Sequence, residues 1–167
     1  MNPAVISRAI LTRLQADTTL YSGGAWQSAL AGGAGWPKGN PATSPVFPNI
    51  VWGIDYQANN AFNGIMGENT VTFYIFDQQA QGTTRLEALV DRLIGDAMLS
   101  TGSKNIPTYG FHNHKLALPS IGSTNVQGAV AGEMNFTGCT IGPGDTDETL
   151  TATVTFTVQT SNEAANQ

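Results

Sequence analysis

Two apolar rhythms run along the chain, one near 3.6 residues and one of two residues, and they divide it into helices and strands. Residues 3–20 follow the longer rhythm. Ile6, Ala9, Ile10, Arg13 and Leu14 recur at three-and-four spacing, with Val5 and Leu11 widening the stripe. Asn2 is placed to cap this helix, and Pro3 suits its first position. Asp17-Thr18-Thr19 weakens it and Gly23-Gly24 ends it. A stronger stripe spans residues 82–99, where Leu86, Leu89, Val90, Leu93, Ile94, Ala97 and Met98 share one face. Thr83 or Thr84 can cap this second helix, and Glu87 stands three residues after Thr84, the capping-box spacing. Arg85, Glu87, Asp91 and Arg92 mark its solvent side.

The shorter rhythm predicts strands. Residues 47–57 read as one, with Pro48 tolerable only near its start or on an edge. Residues 68–77 place Val71, Phe73 and Ile75 on one face and Thr72, Tyr74 and Phe76 on the other. Both faces are apolar enough to predict a central strand, with one face under the helices and the other available to a second subunit. Residues 149–160 alternate almost without fault: Leu150, Ala152, Val154, Phe156 and Val158 against Thr151, Thr153, Thr155, Thr157 and Gln159. Weaker strand signals lie at 115–123, broken by Pro119, and at 129–140. A turn cluster follows at Gly142-Pro143-Gly144-Asp145-Thr146-Asp147.

Irregular stretches separate these elements. Residues 22–46 are rich in Gly and Pro and carry Trp26 and Trp36. Large aromatics in such a loop either fold back onto the domain's own core or anchor a partner. Residues 58–67 are turn-rich, with Phe62, Ile65 and Met66 at the tip. Trp26, Trp36, Phe62, Ile65 and Met66 are therefore the candidate protein–protein contact residues. The expected architecture is α+β: a mainly antiparallel sheet, two amphipathic helices packed on one face, and long Gly-rich loops. One domain over residues 1–160 is expected, with a disordered tail at 161–167.

Composition narrows the function. Only 11% of the residues are charged, against 41% hydrophobic, so Thr, Ser, Asn, Gln and Gly must cover much of the surface. Such surfaces suit proteins packed against other proteins. The net charge is −5, and the seven Lys and Arg residues are scattered, which disfavours direct nucleic-acid binding and a polybasic membrane contact. No leader and no apolar run long enough to span a bilayer is read, and cytoplasmic synthesis is expected. Cys139 is the single cysteine, so no intrachain disulfide is expected, and it reads as a small, half-buried residue.

Candidate chemistry is sparse. His112 and His114, read as alternate residues of a strand, could reach one metal, but no further ligand stands near them in sequence. Asp145, Asp147 and Glu148 lack the ligand spacing of an EF-hand. Gly32-Gly33-Ala34-Gly35 is followed by no Gly-Lys-Ser/Thr and opens no helix, and there is no Gly-x-Ser-x-Gly elbow. No catalytic residue, cofactor site or metal site is assigned.

The order of elements carries a resemblance. Phe47-Pro48-Asn49-Ile50-Val51-Trp52-Gly53 is followed by Val71-Thr72-Phe73-Tyr74-Ile75-Phe76-Asp77, which runs into Leu86-Glu87-Ala88-Leu89-Val90-Asp91-Arg92-Leu93. With the leading helix and the final alternating strand, this resembles the tail terminator (tail-completion) proteins of long-tailed phages. The likeness covers about residues 3–100 and the last strand; residues 102–148 are longer and richer in Gly and Thr than that family's pattern. The resemblance implies a non-enzymatic virion protein at the tail–neck junction, assembled in the host bacterial cytoplasm. It implies a homo-oligomeric ring, usually a hexamer, that caps the tail tube, ends its polymerisation and joins the tail to neck and connector proteins. DNA would pass through the lumen without specific binding, and six copies at −5 would present about −30 to it. Another ring component of the neck or head–tail joint is a near alternative. From other classes, a small metal-dependent hydrolase would use His112 and His114, and a receptor-binding or decoration domain would use the Thr-rich strands.

Overall fold

The computed structural model describes residues 3–17, 47–58, 66–95, 109–117 and 129–162. The elements run α1 (Pro3–Ala16), β1 (Asn49–Ala58), β2 (Met66–Gln78), a 3-10 turn (Gln79–Gln81), α2 (Thr84–Ile94), β3 (Ala129–Pro143) and β4 (Thr149–Asn162). The strands form one antiparallel sheet in the order β1-β2-β4-β3, so the architecture is α+β as expected. β2 is interior, as its two apolar faces require, and it pairs with β1 on one side and β4 on the other.

Alternation fixes the register. Ile50 and Trp52 of β1 stand opposite Ile75 and Phe73 of β2, which in turn stand opposite Ala152 and Val154 of β4. A slip of one residue would send this whole row to the other face, so one buried face is enough to lock the pairing. The row is fully buried, together with Val71, Phe156 and Val158. α1 covers it with Ile6, Ala9, Ile10 and Leu14, and α2 with Leu86, Leu89, Val90, Leu93 and Ile94, all in one core. Each such side chain contributes roughly 1.5–3 kcal/mol by leaving water. Trp52 reaches α1 with its polar end as well, donating from Nε1 to Ser7 Oγ at 2.9 Å. Phe73 is the aromatic hub, with ring centroids of Trp52, Phe111 and Phe156 at 6.2, 5.1 and 5.7 Å.

Phe111 belongs to a segment that periodicity does not reveal. Residues 109–117 form no regular element, yet Phe111 and Leu116 are core residues. The segment is tied down on three sides. The Phe111 and His112 N–H groups donate to the Leu93 and Ile94 carbonyls at 2.9 and 3.0 Å, satisfying two of the orphan acceptors at the end of α2. Asn113 N–H donates to the Met134 carbonyl, and Met134 N–H to the His114 carbonyl, which stitches the segment to β3. Arg13 of α1 donates from Nε to the Gly110 carbonyl at 3.1 Å. Gly110 has φ of 75°, and a Cβ there would lie 2.6–2.8 Å from the backbone of Gly95 and Ile94. Only glycine permits this approach.

Several boundaries and contacts differ from the sequence reading. α1 stops at Ala16, and the Asp17 carboxylate takes two hydrogen bonds from Arg92 at 2.8 Å each. α2 begins at Thr84 and no capping box forms: Thr83 has φ −83° and ψ −21°, without a side-chain cap, and its carbonyl accepts from Glu87 N–H. Arg85 and Arg92 are not simply solvent residues. Arg85 pairs with the fully buried Asp77 carboxylate at the end of β2, and Arg92 also stacks over the Tyr109 ring. Cys139 is exposed, not half-buried. β3 extends to Pro143 and β4 to Asn162, so the first two residues of the expected tail are paired strand. Of the strand expected at 115–123, residues 118–123 lie outside the described residues, and the described part makes one bridge, Lys115 to Glu133.

Two substitutions test this core. Leu93→Ala should cost about 2–5 kcal/mol in urea denaturation, and Leu93→Asp, which buries an unpaired carboxylate, should abolish the cooperative transition. Gly110→Ala should cost more than about 2 kcal/mol, because positive φ and backbone overlap act together; wild-type stability in that variant would mean the segment is not docked as described.

Candidate functional site

The polar candidates divide into those that serve the fold and those left facing outward. His112 and His114 do not lie on a strand. They flank Asn113, whose φ of 57° marks a tight turn, and their environments differ. His112 Nδ1 accepts the Phe136 N–H at 3.1 Å, which fastens the turn to β3. His114 Nδ1 is buried without a hydrogen-bond partner among the described residues. Burial first, and the Arg13 guanidinium second, push the His114 pKa below its ordinary 6.5. Among the described residues no group of three or more His, Cys, Asp or Glu is placed to hold a metal ion. The Cys139 thiol is pushed up from its ordinary value by partial burial and by the Asp91 carboxylate, which lowers its thiolate fraction and hence its nucleophilicity.

The two ion pairs are structural. Asp77 is 0% exposed and holds the N-terminal turn of α2 through Arg85, while also accepting the Gln78 N–H at 2.8 Å. Arg92 joins the end of α1 to α2 and to Tyr109. At the far end of the sheet the buried Asn69 Nδ2 donates to Thr160 Oγ1 at 2.9 Å, linking β2 to β4.

What remains outward-facing is the sheet surface opposite the helices. Its rows run across all four strands, for example Val51, Tyr74, Thr153 and Thr140. The alternation of β4 gives this face its Thr151, Thr153, Thr155 and Thr157, all half-buried by their neighbours alone. No described element covers it. At one end it is concave, with a volume of about 360 Å³. Val51, Tyr74 and Phe76 form the apolar floor, Thr140, Thr151, Thr153 and Asp145 the polar lining, and the β3 segment 141–143 borders it. Ile141 and Pro143 stand opposite Ala152 and Leu150, so they belong to the helix-side row, where Ile141 is the exposed large hydrophobic residue of the described chain. This end of the sheet is held by the β3–β4 turn, where Gly144 N–H donates to the Thr149 carbonyl and Thr149 Oγ1 bonds back to Thr146. A face of this kind lacks a nucleophile–base pair and suits the docking of another chain.

Of the contact residues expected from sequence, Trp26, Trp36, Phe62 and Ile65 lie outside the described residues. Met66 is the first residue of β2, opposite Ser161, and not the tip of a loop. The concave end of the sheet was not singled out in the sequence, although Tyr74 and Phe76 on the second face of β2 are its signal. Among the described residues no helix is long and apolar enough to cross a membrane. The chain matches no protein-family model and no curated protein.

His114 yields a pH prediction. Its depressed pKa means that the native state binds fewer protons than the unfolded chain below pH 6.5. Its neutral form therefore supports the fold at pH 7, and that support is lost as pH falls through 6.5 and below. Urea titrations from pH 7 to pH 5 should show falling stability, with a shallower fall in His114→Gln. Equal slopes in the two proteins would remove His114 from the acid response.

Proposed function

We propose that this chain is a structural virion-assembly subunit, a tail terminator that forms a homo-oligomeric ring of six copies on the tail tube. The ring would end tube polymerisation and join the tail to the neck. The observation that carries the reading is the open sheet. One face is closed by α1, α2 and residues 109–117, while the other is uncovered by any described element; among the described residues β1 is an unpaired edge, and β3 is paired on its outer side only where residues 113–115 meet Glu133 and Met134.

Those edges support assembly. β1 offers ten residues without Lys, Pro or a bulge, a strand that invites pairing with another chain. β3 is the better-guarded edge, with register shifts between Ala131 and Met134 and between Phe136 and Gly138. A ring built through strand edges would leave none of them open. The low charge of the chain and its Thr-covered strands are in keeping with a surface that spends its life against protein. The same features favour the non-enzymatic reading: His112 fastens its turn to β3, and the exposed Cys139 thiol is held toward its protonated form.

The test uses purified full-length protein and polymerising tail-tube subunits. Light scattering and negative-stain images should show rings, free or seated on tube ends, and tube length should fall as the protein is added. A strict monomer at high concentration that neither binds tube ends nor limits tube length would overturn the proposal. Density at the distal tip or on the head of intact virions would favour the receptor-binding or decoration reading instead.

A further inference from the structure

The charges of the described chain are unevenly distributed over its elements. The four strands and the β3–β4 turn contain no Lys or Arg at all, and their outward carboxylates are Asp55, Glu68, Glu133, Asp145, Asp147 and Glu148. Every described cation sits in a helix or in the 109–117 segment: Arg8, Arg13, Arg85, Arg92 and Lys115. Arg85 and Arg92 make the described ion pairs, and they do so with Asp77 and Asp17. Lys115 bridges Glu133 near the opposite end of β3, and neither described ion pair involves the Asp145 carboxylate at the concave end of the sheet.

The groove beside Asp145 is two-natured. Its floor carries the two aromatic rings of Tyr74 and Phe76 with Val51 alongside, and its rim holds the hydroxyls of Thr140, Thr151 and Thr153 and one carboxylate. A volume of about 360 Å³ is at the small end for ligand sites, room for one long side chain and its flanking backbone. Apolar floor and anionic rim match a side chain with an apolar stem and a cationic head, which packs its methylenes and keeps its charge at the edge. Aromatic faces add attraction for the same cation. The planar guanidinium fits best, since it can stack on a ring and hydrogen-bond a carboxylate at once.

We propose that this groove receives an arginine side chain presented by a partner polypeptide, with Asp145 as its counter-ion. The inference deepens the assembly reading and rests on it only in taking the open face to meet another protein chain. Nucleic acid is disfavoured on this face by like charge.

The probes are three peptides, acetyl-Ile-Arg-Ile-amide and its Gln and Glu counterparts, titrated into ¹⁵N-labelled full-length protein. The arginine peptide should shift the amides of Ile141, Asp145, Thr151 and Thr153 more strongly than the Gln peptide, and the Glu peptide should leave them in place. Asp145→Asn should weaken the arginine peptide by about two- to fivefold, the scale of an exposed ion pair. Asp145→Lys should reverse the preference between Arg and Glu. Both variants alter an exposed turn position, and an unchanged amide spectrum elsewhere would establish that they fold. Equal response to all three peptides, a preference untouched by Asp145→Lys, or shifts confined to α1 and α2 would overturn the proposal. Light scattering on the same samples separates the two readings. A monomer that still selects the arginine peptide defeats the ring and leaves the groove standing; a ring without that selectivity does the reverse.

Discussion

Phe73 is the point on which the structure depends. It lies on the inner face of a central strand, and its ring touches Trp52 of β1, Phe156 of β4 and Phe111 of the segment after α2. Four parts of the chain that are distant in sequence meet there, and none is held by a disulfide or a described metal. The constraint is volume: a full layer of aromatic rings needs a lid, and two helices of 14 and 11 residues do not supply enough of one. Phe111 and Leu116 fill the remainder, which is why an irregular segment is buried and why its backbone groups are paired with α2 and β3.

The parts of this fold that were legible in the sequence are those with a period. The α2 stripe and the alternations of β2 and β4 each repeat often enough to show which residues face inward, and the central place of β2 followed from its two apolar faces. Residues 109–117 were not legible because their role rests on single residues. Gly110 is there for a close backbone approach, Phe111 for one gap in the core, and His112 for one amide of β3. Arg85 and Arg92 looked like solvent residues for the same reason: their partners, Asp77 and Asp17, are set by tertiary contacts and not by helical spacing. The groove was half-legible. Tyr74 and Phe76 stood out on β2, but the placing of Thr140 beside Thr153 and of Asp145 at the rim depends on the β3–β4 register.

The two sides of the sheet divide the chemistry between them. The inner side carries the packing and the described guanidinium pairs. The outer side has hydroxyls, carboxylates and a patch of apolar floor, with Lys115 beside Glu133 at the β3 edge as its described cation. Such a division gives the surface a direction: one side holds the domain together, and the other has a sign and a shape to offer.

The sheet order has a consequence for synthesis. β2 and β4 are neighbours at its centre, yet they are separated in the chain by α2, residues 109–117 and β3. While the chain emerges from the ribosome, β2 has only β1 beside it, and β3 has only the short contact with residues 113–115. The last strand to appear is the one that joins the two halves, and through Val154 and Phe156 it completes the aromatic layer. A chain halted before residue 149 therefore exposes extra strand edges and an unfinished core, the features that favour aggregation over folding. Late joining at the centre of the sheet makes completion of the core depend on completion of the chain.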